Sequence, residues 1–368
     1  MNNHYDFLIV GAGFSGAVLA ERLAAELNRK VLVVEKRSHI AGNAYDCYDS
    51  AGVLVHLYGP HIFHTSFEDV WSYLSRFTQW NGYVHKVLSF VNGQTLPIPI
   101  NRTTVSRFFN KPFTEQEVKD YLQSVSLKLD SINNSEDVIV SQVGELFYNL
   151  FFKHYTYKQW GVYPSQLAPE VTRRIPVRYN DDDRYFTDPY QGLPLEGYTK
   201  LFENMLSHPN ITVALNTDYK AVMDAVKFDR MIYTGPVDYF FDYLHGKLPY
   251  RSIEFQWETY EQEYFQECGV VNYPNDFAFT RITEFKRMTL QQHPKTTIIK
   301  EFPTDKGDPF YPIPMQEALQ IAGLYQQERE KLQSVYFVGR LAEYRYFNMD
   351  QVVKRALDLF HEIAQGKG

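Results

Sequence analysis

Near its start the chain runs "YDFLIV" (5–10), a short apolar stretch rich in β-formers, into a glycine turn, "GAGFSG" (11–16). "AVLAERLAAEL" (17–27) follows with apolar positions at helical spacing, and "KVLVVEK" (30–36) is a second apolar run. Strand, glycine turn, helix, strand is the βαβ unit that opens a doubly wound parallel sheet. Far along the chain, "VYFVGR" (335–340) reads as another buried strand. Gln351 to Ile363 reads as an amphipathic helix, with Val352, Val353, Ala356, Leu357, Phe360 and Ile363 on one face and Asn348 as its N-cap. The sheet is therefore predicted to be discontinuous and closed by the C-terminal segment.

The pattern changes between these ends. "TEQEVKDYLQSVSLKL" and "VSQVGELFYNLFFKHYTYKQW" read as helices, starting after Thr114 and around Asp137. Residues 171–197 are loop-like, 198–208 helical, and "ITVALNT" and "RMIYTGP" are strands. The stretch 248–302 alternates β-rich segments with turns, as an antiparallel sheet does. The expectation is an α/β fold with three parts. A discontinuous Rossmann-like dinucleotide-binding domain takes 1–80, 198–242 and 315–368, and a helical insert takes 100–170. An antiparallel β-sheet domain takes 81–99, 171–197 and 243–314.

Composition narrows the function. A chain of 368 residues exceeds one simple core. A net charge of −7 gives no field that favours nucleic acid or an anionic membrane, so an anionic substrate would need local arginines. Cys47 and Cys268 alone make no disulfide framework. Without a basic leader or an apolar run of spanning length, the expected compartment is the cytoplasm. Aromatic residues reach 16%, with 28 Tyr, whose flat face and polar tip suit sugars and bases as well as cores.

Gly11, Gly13 and Gly16 fit a pyrophosphate-binding turn: one permits the turn, one the close approach of the phosphates, one the packing of helix on strand. The helix N-terminus behind them favours an anion, and Glu35 stands at the end of the second strand, where a ribose hydroxyl would be accepted. A further glycine-containing loop, with Gly42 and Asn43, favours FAD over NAD. Trp160 serves as a base-stacking platform or as core. Arg173 and Arg174 form a solvated pair or an anion site, and Arg281 lies on a strand whose alternation could turn it into a cleft. No nucleophile–base arrangement or H-E-x-x-H occurs, and His61 with His64 lacks further ligands, so no metal is expected. A cofactor is left to carry the reaction.

Several ordered stretches resemble the bacterial UDP-galactopyranose mutases: "GAGFSGAVLAERL", "EKRSHIAGNAYD", "YGPHIFHT", "YTYKQWG", "RRIPVR", "YFTDPYQGLPLEGYTKL", "IYTGPVDYFFDY", "LPYRS" and "VGRLAEYRYFNMDQV". The match runs from residue 5 to about 360. The resemblance implies an isomerase that interconverts UDP-galactopyranose and UDP-galactofuranose through a covalent adduct of the sugar with N5 of reduced FAD, without net redox change. It implies Arg174, Arg281, His64 and Tyr346 as catalytic, with Arg174 and Arg281 on the diphosphate. Phe151, Tyr155, Thr156 and Trp160 match the uridine end, Tyr185, Tyr311 and Tyr346 the phosphates or sugar, and Arg251 and Asn272 polar cleft positions. Phe151 and Tyr155 also read as helix core, and Arg251 as half of a surface ion pair.

For the cofactor, the resemblance implies Gly11, Gly13, Phe14, Ser15, Gly16, Glu35, Lys36, Gly42, Asn43, Gly59, His61, Ile62, Arg340, Met349, Asp350, Gln351 and Val352. Arg340 would meet the FAD pyrophosphate. It further implies an external reductant such as NAD(P)H or a reductase, a homodimer, and a role in cell-surface polysaccharide biosynthesis. Two departures stand out: Ala41 replaces a usual glycine, and "YFNMDQ" carries Asn348 for a usual acid and Asp350 for a usual histidine. They leave the sugar open between galactose and another hexose, such as UDP-N-acetylgalactosamine or a dTDP-6-deoxyhexose. A flavin oxidoreductase of the amine-oxidase type is a separate alternative, which two diphosphate-reading arginines would not serve.

Overall fold

A computed structural model describes residues 4–173 and 175–366. One sheet has five strands, all parallel, in the order Val335–Phe337, Lys227–Tyr233, His4–Val10, Val31–Val34, Ile211–Ala214. Val31–Val34 and the carboxyl-end halves of His4–Val10 and Lys227–Tyr233 are apolar and buried, because helices and loops cover both faces there. The helix Phe14–Leu27 crosses one face and packs against the C-terminal helix Met349–Ala364 in a single core with Val353, Ala356 and Phe360.

A second sheet has seven strands, ordered Tyr311–Pro312, Tyr250–Tyr260, Thr296–Thr304, Arg281–Glu284, Val270–Asn272, Val87–Val91, Gln94–Ile98. It differs from the antiparallel expectation at one place, since Val270–Asn272 runs parallel to Val87–Val91. The long excursion between those two strands runs through a group of helices, two strands of the parallel sheet and strand Tyr250–Tyr260, ample length for the crossover that a parallel pair needs.

That excursion is also more broken than its periodicity suggests. Thr114 caps helix Glu115–Val125, its side chain accepting from Glu117 N–H. The cap of the next helix, Ser135–Phe147, is Asn134, whose side chain accepts from the Asp137 N–H; Asp137 itself lies in the first turn. Gly144 then leaves helical geometry with φ 73°, where a Cβ would lie 2.5 Å from the Val125 carbonyl oxygen. A π-turn, Tyr148–Lys153, follows before helix His154–Trp160. The long helix Gln316–Glu330 gave little sequence signal because it buries only Ala318 and Tyr325. Among the described residues no helix is long and apolar enough to cross a membrane.

Candidate active site

The parallel strands end on a cavity of about 870 Å³, toward the upper end of the ~300–1,000 Å³ usual for small-molecule sites. Its walls come from the segments just past each strand's carboxyl end: Gly11 and Gly13 after Val10, Glu35 after Val34, Thr217 after Ala214, Thr234 after Tyr233, Gly339 and Arg340 after Phe337. This is where ligands sit in open parallel sheets. Each glycine of the turn has its own constraint. Gly11 holds φ 102° with Thr234 Oγ1 at 2.1 Å from a would-be Cβ, and a Cβ on Gly16 would lie 1.9 Å from the Gly11 carbonyl oxygen. A Cβ on Gly13 would meet nothing nearer than Gly42 Cα at 3.8 Å, so this position leaves the cradle open.

Glu35 accepts from Ala12 N–H and Arg37 N–H at 2.9 Å each, one through each carboxylate oxygen. Those bonds fix the carboxylate at the strand end. Phe14, Ser15, Lys36, Gly42, Asn43, His61, Met349 and Val352 line the same cavity. Gly16 packs beneath the turn instead, and Gly59 and Ile62 lie outside the lining. Gln351 turns to its own helix, its Oε1 accepting from Asn348 N–H at 2.9 Å. Asp350 is buried off the cavity, close to Thr65, His64 and Asp188; burial raises its pKa and His64 partly opposes that. Ala41 is buried with φ 71°, a left-handed conformation that suits the glycine it replaces.

Sequence reasoning passed over Arg37, Thr217 and Thr234. Arg37 stacks over Tyr58 at 4.2 Å and pairs with Asp308 at 3.1 Å. The carboxyl-end rule applied to every parallel strand would have found the two threonines.

Beside the cavity, the guanidinium of Arg340 donates to the carbonyl of Phe347 (3.1 Å from Nε) and that of Phe310 (3.4 Å from Nη1). It lies 5.0 Å from the ring of Tyr311 and 5.5 Å from that of Tyr346. Among the described residues no carboxylate pairs with it, so its charge is left for an anion. Tyr311 and Tyr346 stack at 6.2 Å, and Trp160 stands 6.4 and 6.2 Å from them. Burial raises the pKa of Tyr311, with Arg340 and Arg281 both acting in the opposite sense.

The mixed sheet supplies the other wall as one row of cross-strand partners: Ser89, Asn272, Arg281 and Glu301. Partners across a ladder share a face. Arg281 Nε lies 2.8 Å from Glu301 Oε1, and Glu301 is fully buried. Burial works against the Arg281 charge, and Glu301, Tyr155 and Tyr311 together outweigh it, so the pKa is raised. Tyr155 is within electrostatic reach of Arg281, and Thr156 is buried on the same helix as Trp160. Tyr185 packs edge-on against His85 and Phe186. His64 stacks on Phe186 at 3.6 Å while its Nδ1 lies 2.7 Å from Asp188 Oδ2.

On the substrate side, Phe151 and Arg251 are directed elsewhere, and Arg174 falls outside the described structure. Phe151 is buried in the helical insert, edge-on to Phe147 at 5.6 Å. Arg251 makes no surface ion pair: it is buried, and donates to the carbonyls of Gln159 (3.1 Å) and Lys158 (3.1 Å), closing the end of helix His154–Trp160. Arg174 lies outside the described residues.

A Rossmann sheet whose carboxyl edge opens on a glycine-lined cavity, beside an arginine-bearing cleft, has the layout of a nucleotide-binding fold. The family model of the NAD(P)-binding Rossmann-like domain matches residues 9–77, and that of UDP-galactopyranose mutase matches residues 150–346. A relative from Klebsiella pneumoniae named "Probable UDP-galactopyranose mutase" is 38% identical over 96% of this chain and 94% of its own. The dTDP-fucopyranose mutase of Escherichia coli is 36% identical over 95% and 96%. A crystal structure of reduced UDP-galactopyranose mutase superposes with a TM-score of 0.78 at 19% identity, covering 98% of this chain and 94% of that one. The chain belongs to the UDP-galactopyranose mutase family and is an isomerase.

Proposed function

We propose that the protein interconverts UDP-galactopyranose and UDP-galactofuranose with reduced FAD in the glycine-lined cavity. The observation that carries this reading is the junction at Arg340: one guanidinium lines the cavity and also touches Tyr311 and Tyr346, the aromatic wall of the second cleft. A cofactor ring and a sugar would meet there. The open cradle at Gly13, the helix N-terminus behind it and the Glu35 carboxylate fit a dinucleotide with its pyrophosphate and ribose. When bound and reduced, the flavin supplies the nucleophile for the anomeric carbon and ends the cycle in its starting oxidation state.

The chain's own residues bind and orient. Arg281, with Arg174, holds the diphosphate, since a planar guanidinium matches phosphate oxygens in a fork. Glu301 fixes Arg281 from below, Trp160, Tyr155 and Thr156 hold the base end, and Tyr311, Tyr346 and Tyr185 contact the phosphates or sugar. The contact of its Nδ1 with the Asp188 carboxylate orients the His64 ring in the site. An external reductant, a cytoplasmic location and a homodimer belong to the same reading.

Reduction with dithionite, addition of UDP-galactofuranose and separation by anion exchange test it directly, with UDP-galactopyranose expected as product. A second substrate, a dTDP-6-deoxyhexose, is kept because the Escherichia coli relative is a dTDP-fucopyranose mutase at 36% identity. A higher kcat/KM on dTDP-fucofuranose would transfer the reading to that sugar. No turnover on either, or on UDP-N-acetylgalactosamine, would end it.

A further inference from the structure

Lys158 sits in the middle of helix His154–Trp160, away from the face that carries Thr156 and Trp160. Its ammonium donates to three backbone carbonyls: those of Tyr273, Phe277 (2.8 Å) and Phe279 (3.1 Å). An ammonium has three donors, so all are satisfied, and by backbone alone. Among the described residues no carboxylate forms an ion pair with it. A lysine used this way resembles a cation bound in a loop of carbonyls.

The loop it gathers, 273–280, joins strand Val270–Asn272 to strand Arg281–Glu284. Its two feet are Asn272 and Arg281, which face each other in the ladder and belong to the polar row under the cleft. A second side chain ties the loop to the insert: Asn275 Nδ2 donates to the carbonyl of Leu150 at 2.9 Å. Arg251 caps the C-terminal end of the same helix, at the carbonyls of Lys158 and Gln159, reaching from strand Tyr250–Tyr260 of the same sheet. The helix carrying Trp160 and the strand carrying Arg281 are otherwise parts of different layers.

We propose that Lys158 is a positioning residue that fixes the distance between the base-binding helix and Arg281, so that base and diphosphate of one sugar nucleotide are read together. This rests on the function proposed above. Because the device acts on a separation, its loss weakens ligands that span both ends more than ligands that reach one.

Flavin-loaded protein at pH 7 is titrated calorimetrically with UDP and with UMP, whose single phosphate falls short of a diphosphate site. Wild type is expected to prefer UDP. In Lys158→Met the UDP affinity falls about tenfold or more, the scale of one lost charge-assisted contact set, while UMP affinity changes less than about threefold. Lys158→Arg, which keeps the charge but not the three convergent donors, restores part of the preference. Asn275→Ala, an exposed and safely folding change, moves the ratio the same way by a smaller factor.

In steady-state assays with UDP-galactofuranose, KM rises in Lys158→Met more than kcat falls. An unchanged UDP-to-UMP ratio in both Lys158→Met and Asn275→Ala, or equal weakening of both nucleotides, overturns the positioning role. Should Lys158→Met not fold, Lys158→Arg and Asn275→Ala decide alone. Wild type that binds neither nucleotide overturns the sugar-nucleotide reading itself, a different and distinguishable failure.

Discussion

The two walls of the site are built on different principles. The wall under the parallel sheet is made mostly of backbone: a turn in which Gly11 and Gly16 have no room for a side chain, a helix N-terminus, and one carboxylate pinned by two N–H groups. The wall under the mixed sheet is made of side chains from four strands, two of which, Arg281 and Glu301, compensate each other's charge. A backbone wall recognises a shared feature, the pyrophosphate of a dinucleotide. A side-chain wall can be retuned one residue at a time, which is where relatives acting on different sugars would be expected to diverge.

The comparison breaks most visibly at Arg281. Arg281→Ala should lose about 100-fold or more in kcat/KM, as one or two charge-assisted contacts would, while the flavin spectrum persists. Removing the arginine also strands Glu301, which is fully buried, and leaving one partner of such a pair costs about 3–5 kcal/mol. Urea denaturation checks this, and adding Glu301→Gln should recover much of the stability but none of the turnover. Recovered turnover would show that Arg281 acts only through Glu301.

The cofactor side holds two neutral histidines, His56 and His61, and the other wall holds His85 beside Tyr185, all three with pKa values lowered to about 3 by burial. The unfolded chain takes up these protons near pH 6.5 and the folded chain does not until about 3. Stability is thus complete above pH 6.5 and falls as pH drops through that window, each histidine contributing up to about 1.4 kcal/mol per pH unit. Denaturation midpoints at pH 7, 6 and 5 measure it. His85→Leu should flatten the profile, and an unchanged profile would refute the assignment.

The smallest effect is expected at Ala41. A left-handed alanine costs about 1–2 kcal/mol, and glycine gives back about 0.4–1 kcal/mol through the freedom of the unfolded chain. Ala41→Gly should therefore stabilise the protein by about 0.5–1 kcal/mol in thermal melts, with the flavin still bound. A lower melting temperature would mean that the methyl packs usefully against the cofactor loop.

The same division explains what could be read in advance. The glycine turn, Glu35 and the closing helix with its Asn348 cap are local in sequence, so spacing alone exposes them. The parallel pairing of Val270–Asn272 with Val87–Val91 is not local, and nothing within either strand announces it. Arg251 and Lys158 show the same limit. Each looks like a surface charge in the sequence, and each is directed at backbone carbonyls of a distant segment. The break at Gly144 and the π-turn after it were hidden by continuous apolar periodicity, which persists through both.

The order of strands in the parallel sheet has a consequence for how the protein is made. Strand Val335–Phe337 joins the sheet begun by His4–Val10, and the cavity takes its lining from Val10 through to Val352. A chain emerging from the ribosome therefore holds the glycine turn long before it holds Gly339 and Arg340. Contacts so distant in sequence form late. A complete cofactor cavity is therefore expected only late in synthesis, and until Val335–Phe337 pairs with it, strand Lys227–Tyr233 is left with an open edge.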